Sequence, residues 1–256
     1  MHKLQIGLLA LGLFAAIGAS SATAVVVPLD PGGPVTGFVP PAKGMLKCER
    51  YINKRVTLAS QCTLKCHVKK ADMIAKDLPF DDDFCEDTSP TSCEAKYNES
   101  LGLQNQSLCP SCLDVPTEQS LYSEYRDVAE MLNAEIYCDD TESVPFGDDD
   151  TGFVSLNHDI SKCEDNFARN VFKLIKCLNL RCHRNFVDDL FFGTPPFNNA
   201  ACEDTDPIQS CQARFEAANL KIVGCPPCLD AAHRAQVFLD IQQALDSRNG
   251  LVYCAQ

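Results

Sequence analysis

The sequence predicts an all-α protein built as two tandem disulfide-stapled helical-bundle repeats with eight cysteines each. Three observations carry that expectation. The chain has 16 cysteines in 256 residues, and an even, dense cysteine set reads as a disulfide framework in an oxidising compartment. The cysteines fall into two sets of eight whose gaps are 14, 4, 19, 8, 16, 3 and 26 residues in the first and 14, 5, 20, 9, 14, 3 and 26 in the second. Between them, apolar residues recur at steps of three and four, while alternating strand patterns are scarce.

Residues 1–24 read as a secretory signal peptide. His2 and Lys3 precede an uncharged apolar run from Leu4 to Ile17, and the small residues end in Ala22-Thr23-Ala24. That run falls short of the roughly 18 apolar residues a membrane span needs, and no later stretch reaches it. The expectation is an exported chain, secreted or periplasmic, with no membrane span in the mature protein. Residues 25–44, rich in proline and glycine, read as an extended leader that cannot hold a regular helix.

The first repeat is placed at 45–140 and the second at 161–256, with 141–160 as an acidic linker around Asp148-Asp149-Asp150. Matching neighbours support the alignment: Lys47-Cys48-Glu49 answers Lys162-Cys163-Glu164, Cys66-His67 answers Cys182-His183, Cys85-Glu86-Asp87-Thr88 answers Cys202-Glu203-Asp204-Thr205, and Tyr137-Cys138 answers Tyr253-Cys254. In the first helix, Cys48, Cys62 and Cys66 lie within about 40° of one another at 3.6 residues per turn. In its counterpart, Cys163, Phe167, Val171, Leu174 and Leu178 form one face, and the five-residue step from Cys177 to Cys182 predicts a one-residue bulge or an early helix end. A second helix follows Pro90 and Pro207, opening at Cys93 and Cys211. A third covers about 117–134 and 231–246, after the CPxC groups.

The CPxC groups raise the question of function. Cys109-Pro110-Ser111-Cys112 and Cys225-Pro226-Pro227-Cys228 resemble the Cys-x-x-Cys of thiol-disulfide oxidoreductases, whose first thiol is activated at a helix N-terminus. That family needs a βαβ setting, which the surrounding pattern lacks, so these sites are read as staples. Cys62 to His67 and Cys177 to His183 resemble lengthened forms of the c-type cytochrome attachment motif, which implies covalent haem with His67 or His183 as an iron ligand. Copy two has no methionine to match Met45, Met73 or Met131 as a second axial ligand. Without haem, both histidines are expected to be partly exposed helix residues. Zinc on the thiols competes poorly with oxidation, neither Asp81-Asp82-Asp83 nor its counterpart Asn198-Asn199-Ala200 follows the order of a calcium loop, and Asp148 to Asp150 reads as a solvated linker. The CEDT groups read as turn and helix-start signals.

A net charge of -13 argues against a nucleic-acid partner, since phosphate binding needs clustered Lys and Arg. No catalytic motif is recognisable, and no cofactor or metal is expected. The reading is an exported, non-enzymatic binding or structural module with an extracellular or periplasmic ligand; the alternatives are a haem electron carrier and a thiol oxidoreductase. All sixteen cysteines are assigned to structural disulfides: Cys48, Cys62, Cys66, Cys85, Cys93, Cys109, Cys112 and Cys138, then Cys163, Cys177, Cys182, Cys202, Cys211, Cys225, Cys228 and Cys254. Eight cysteines allow 105 pairings. The expected one closes each repeat on itself through Cys48–Cys138 and Cys163–Cys254, with the other six stapling the first helix to the loops around the second and third.

Overall fold

Helix α1 (Lys43–Ile74, 32 residues) is the axis of the molecule, about 48 Å long at 1.5 Å per residue. The computed structural model describes residues 27–254 apart from 32, 148–149 and 194–196, so the signal-peptide expectation lies outside the described residues. Helix α1 lays Ile52, Val56 and Ala59, spaced by four and three, into the core. It packs chiefly on α3 (Val115–Met131) and also against α2 (Cys93–Leu101) and α5 (His158–Cys177). The short α4 (Asn133–Ile136) ends the first half. In the second half α5 buries Cys163, Phe167, Val171 and Leu174, the face its periodicity predicts. It is followed by α6 (Arg184–Phe192), α7 (Cys211–Asn219) and α8 (Ala231–Val252). The all-α fold class is thus met.

Capping fixes the helix starts. Ser92 and Ser210 accept from the backbone N–H of Ala95 and Ala213, opening α2 and α7. Asp114 and Asp230, the Leu-Asp acids that follow each CPxC, do the same for α3 and α8. The CEDT groups are not helix starts. They form π-helical turns, Phe84–Thr88 and Ala201–Thr205, that turn Glu86 and Glu203 inward. The extra residue between Cys177 and Cys182 is absorbed by the π-helical stretch Leu178–His183, as the five-residue step predicts.

The stretch read as an acidic linker is structured. Strands β1 (Ser143–Gly147) and β2 (Asp150–Ser155) pair antiparallel, Val144 with Val154 and Pro145 with Phe153, and bury Phe146 and Val154. The leader has a related form, with a bridge between Pro28 and Phe38 and with Leu29 and Val35 buried. Both segments contain Thr-Gly-Phe-Val, at 36–39 and at 151–154. Each docks on a tyrosine carbonyl: Phe38 N–H donates to Tyr253 and Phe153 N–H to Tyr137, both at 2.8 Å. The leader therefore caps the end of the second half, and the hairpin caps the end of the first.

Every cysteine is bridged. Three bridges in each half run from the first helix to nearby loops and helix starts: Cys48–Cys109, Cys62–Cys93 and Cys66–Cys85, answered by Cys163–Cys225, Cys177–Cys211 and Cys182–Cys202. The expected Cys48–Cys138 and Cys163–Cys254 closures are corrected. Cys112 pairs with Cys254 and Cys138 with Cys228, so the tail of each half is tied to the CPxC of the other. The reason is the packing of the tails. Tyr253, beside Cys254, is fully buried with its hydroxyl 3.2 Å from Asn53 on α1, and the Tyr137 hydroxyl lies 3.0 Å from Asp165 on α5.

Candidate functional site

The bridges decide the first candidates. In each CPxC the two cysteines belong to different disulfides: Cys109 and Cys225 hold the first helix of their own half, and Cys112 and Cys228 hold the opposite tail. A CxxC redox centre works by forming and opening a disulfide between its own two thiols, and neither pair is joined. The sulfurs of Cys62, Cys66 and Cys93, and of Cys177, Cys182 and Cys211, cluster closely, but as members of adjacent disulfides. The cysteines of both CH motifs are engaged in the same way, so thioether attachment of haem would require those bridges to be open.

The histidines are where the structure departs most from expectation. His67 is 1% exposed and His183 is 0% exposed, not partly solvated. Each faces carboxylates. Around His67 Nε2 stand Glu86 Oε1 at 3.2 Å, Asp150 Oδ1 at 3.3 Å and Glu130 Oε2 at 3.4 Å. Helix α1 supplies the histidine, the first π-helical turn Glu86, α3 Glu130, and the hairpin Asp150. Lys70, one turn beyond His67, holds the outer edge: its Nζ donates to Asp82 Oδ2 at 2.6 Å and to Asp150 Oδ2 and the Gly147 carbonyl at 3.2 Å. Phe146 closes the site, its ring edge-on to His67 with centroids 6.1 Å apart.

The matched cluster is simpler. His183 Nε2 lies 2.8 Å from Asp246 Oδ1 and 3.1 Å from Glu203 Oε1. Glu203 is further satisfied by Asn199 Nδ2 at 2.7 Å and Gln242 Nε2 at 2.8 Å. Thr36 of the leader bonds the backbone carbonyl of Asp246 through its N–H and its hydroxyl.

Electrostatics follow from burial against charge. Burial alone would make His67 neutral, but Glu130, Glu86 and Asp150 outweigh it and raise its pKa to about 10. Burial likewise opposes charge on His183, and Asp246 and Glu203 raise it to about 9. Burial pushes the Glu86 carboxyl up to about 8 despite His67, and raises Asp150. A general acid or base must reach a substrate; His67, Glu86, Asp150 and His183 are buried, and Glu130 alone of the first cluster reaches solvent, its side chain 28% exposed.

The acidic partners are not among the residues the sequence singles out, and Asp150, in the stretch expected to be an acidic linker, has a side chain only 1% exposed. A signal existed. Glu86 and Glu203 occupy one place in the two CEDT groups, and Glu130 and Asp246 each lie 18 residues after the second CPxC cysteine (130 − 112 and 246 − 228). Matched acids accompany matched histidines.

On the surface, a groove of about 580 Å³ lies between α5 and the loop after α7, lined by Lys162, Arg169, Lys173 and Lys221 with Asp159 as its one acid. It stands out on a chain with a net charge of -13. Among the described residues no helix is long and apolar enough to cross a membrane. No family model, curated protein or solved structure matches the chain.

Proposed function

We propose that this is a non-enzymatic binding module that works in an oxidising extracellular or periplasmic setting. The observation that carries the reading is the division of each CPxC between two structural bridges, within a framework that engages all sixteen cysteines. Such a chain needs an oxidising compartment to mature. It then holds its surface rigidly, which lowers the ordering cost of binding. The basic groove supports a ligand of negative charge: four cations converge on it, so an anion is attracted there against the repulsion of the acidic remainder.

Two measurements test the reading. A non-reducing peptide map with intact mass is expected to show eight closed bridges and no alkylation of the native protein. Rapid labelling of Cys109 or Cys225 would instead support the oxidoreductase alternative. Titration with a labelled heparin oligosaccharide, used as a polyanionic probe, is expected to give binding that weakens with salt and is lost in the Lys162→Glu, Lys221→Glu double variant. Binding that ignores both changes would remove the groove as the ligand face.

A further inference from the structure

The two histidine clusters occupy matched positions but differ in geometry. In the second, His183 makes one normal hydrogen bond, 2.8 Å to Asp246. In the first, three carboxylate oxygens surround one ring nitrogen at 3.2, 3.3 and 3.4 Å, and none lies in hydrogen-bond geometry. His67 Nε2, Glu86 Oε1 and Asp150 Oδ1 all lack a hydrogen-bond partner, on side chains only 1%, 7% and 1% exposed. One N–H cannot serve three acceptors, and buried polar atoms left unpaired are costly.

The spacing has a direct explanation. A tetrahedral zinc ion with N and O ligands at about 2.0–2.2 Å places those ligand atoms roughly 3.4 Å from one another. Glu86 Oε1, Asp150 Oδ1 and Glu130 Oε2 lie at that distance from His67 Nε2, and ligand atoms of His67, Glu86 and Glu130 all lie within 4.8 Å of one another, with Asp150 approaching the set from the histidine side. The ligand types agree, since imidazole with carboxylates suits a borderline divalent cation. One supporting group agrees as well, while His67 Nδ1 has no hydrogen-bond partner among the described residues. Lys70 holds Asp150 through its other oxygen, Oδ2, which orients Oδ1 toward the centre as second-shell contacts do in metal sites.

We propose that His67, Glu86, Glu130 and Asp150 bind one zinc-class divalent cation through Nε2, Oε1, Oε2 and Oδ1, and that the matched His183 cluster binds none. The second cluster lacks the fourth ligand. Asp150 precedes Thr-Gly-Phe-Val in the hairpin, and the residue preceding the same tetrapeptide in the leader is Val35. Asp82, three residues before Cys85, is replaced by Asn199, three before Cys202, and Asn199 donates to Glu203 in place of a metal. The site does not depend on the anion groove or on the non-enzymatic reading. Its ligands come from α1, α3, a π-helical turn and the hairpin, so the cation would join four segments of the chain.

The test uses the full oxidised chain, stripped with EDTA and given Zn²⁺ alone, then weighed by native mass spectrometry. One zinc per chain is expected, with a higher melting temperature and a zinc-edge absorption spectrum showing about four N/O neighbours at about 2.0–2.1 Å and no sulfur. Asp150→Asn and Glu130→Gln are expected to weaken binding by at least about tenfold, while Glu203→Gln leaves stoichiometry and affinity unchanged. Failure to retain zinc, retention of two ions, sulfur in the first shell, or Asp150→Asn binding as tightly as the parent would each overturn the proposal. The stoichiometry and spectrum come from the unaltered protein, so they decide the matter even if a variant fails to fold.

Discussion

At the scale of single residues, burial of charge makes stability depend on pH. His183 has a folded pKa of about 9, above the ordinary 6.5, so its contribution is full below about 6.5 and is lost as pH rises through 9. The groups facing it are Glu203 and Asp246, with Asp30 acting on Asp246. Buried Glu164, pushed up to about 8 by burial against the backbone N–H of Asp139, with the charges of Asp139 and Asp165 adding to the rise, works in the same direction, because a raised carboxyl loses stability as pH rises from its ordinary 4.5. In EDTA, the melting temperature is therefore expected to fall between pH 6 and 9, with His183 accounting for on the order of 2–3 kcal/mol. The slope should flatten in His183→Gln, and a rise over that interval would contradict the assignment. Glycine supplies a second residue-scale test. Gly37 and Gly152 have φ of +115° and +110°, and a Cβ there would lie 2.7 Å from the Tyr253 carbonyl and 2.8 Å from that of Tyr137. Either change to alanine is expected to cost about 2 kcal/mol or more in urea unfolding. Gly147→Ala, with open space around it, should cost less.

At the scale of elements, the helices were mostly legible, while the individual cysteine pairings were not. The heptad-like run in α5, the serine and aspartate caps and the five-residue step at Cys177 are local signals, and local geometry answers them. The acidic linker was misread because three successive aspartates look like solvent-exposed chain. The β1–β2 hairpin forms because Val144, Phe146 and Val154 alternate around them, and Asp150 is turned inward by the partners it meets there. The tails are the elements whose attachment matters most. Cys138–Cys228 spans 90 residues, a loop whose closure lowers unfolded-state entropy by an amount worth up to about 4–5 kcal/mol. The Cys138→Ser, Cys228→Ser variant is expected to lose a few kcal/mol in urea unfolding while keeping its helical circular dichroism. An unchanged midpoint would show that the tail is held by packing alone.

For the whole molecule, the crossed tails and exchanged caps bind the halves into one covalent unit. Residues 27–140 expressed alone should close Cys48–Cys109, Cys62–Cys93 and Cys66–Cys85 but leave Cys112 and Cys138, whose partners lie at Cys254 and Cys228. Mass spectrometry is expected to find two alkylatable thiols or a disulfide-linked dimer of the fragment. A monomer with four closed bridges would mean that each half can complete itself, as the sequence spacing suggested.

The sequence by itself determined the dense cysteine framework, the helical class and the matched order of the cysteines in the two halves. These rest on composition, period and short loops, which act over neighbouring residues. Only the tertiary structure decided which tail crosses to which CPxC, and that Glu86, Glu130 and Asp150 meet at His67. Both outcomes depend on residues distant in sequence sharing one buried space, and no local pattern encodes where a tail leaves a helix bundle or which charges its burial brings together.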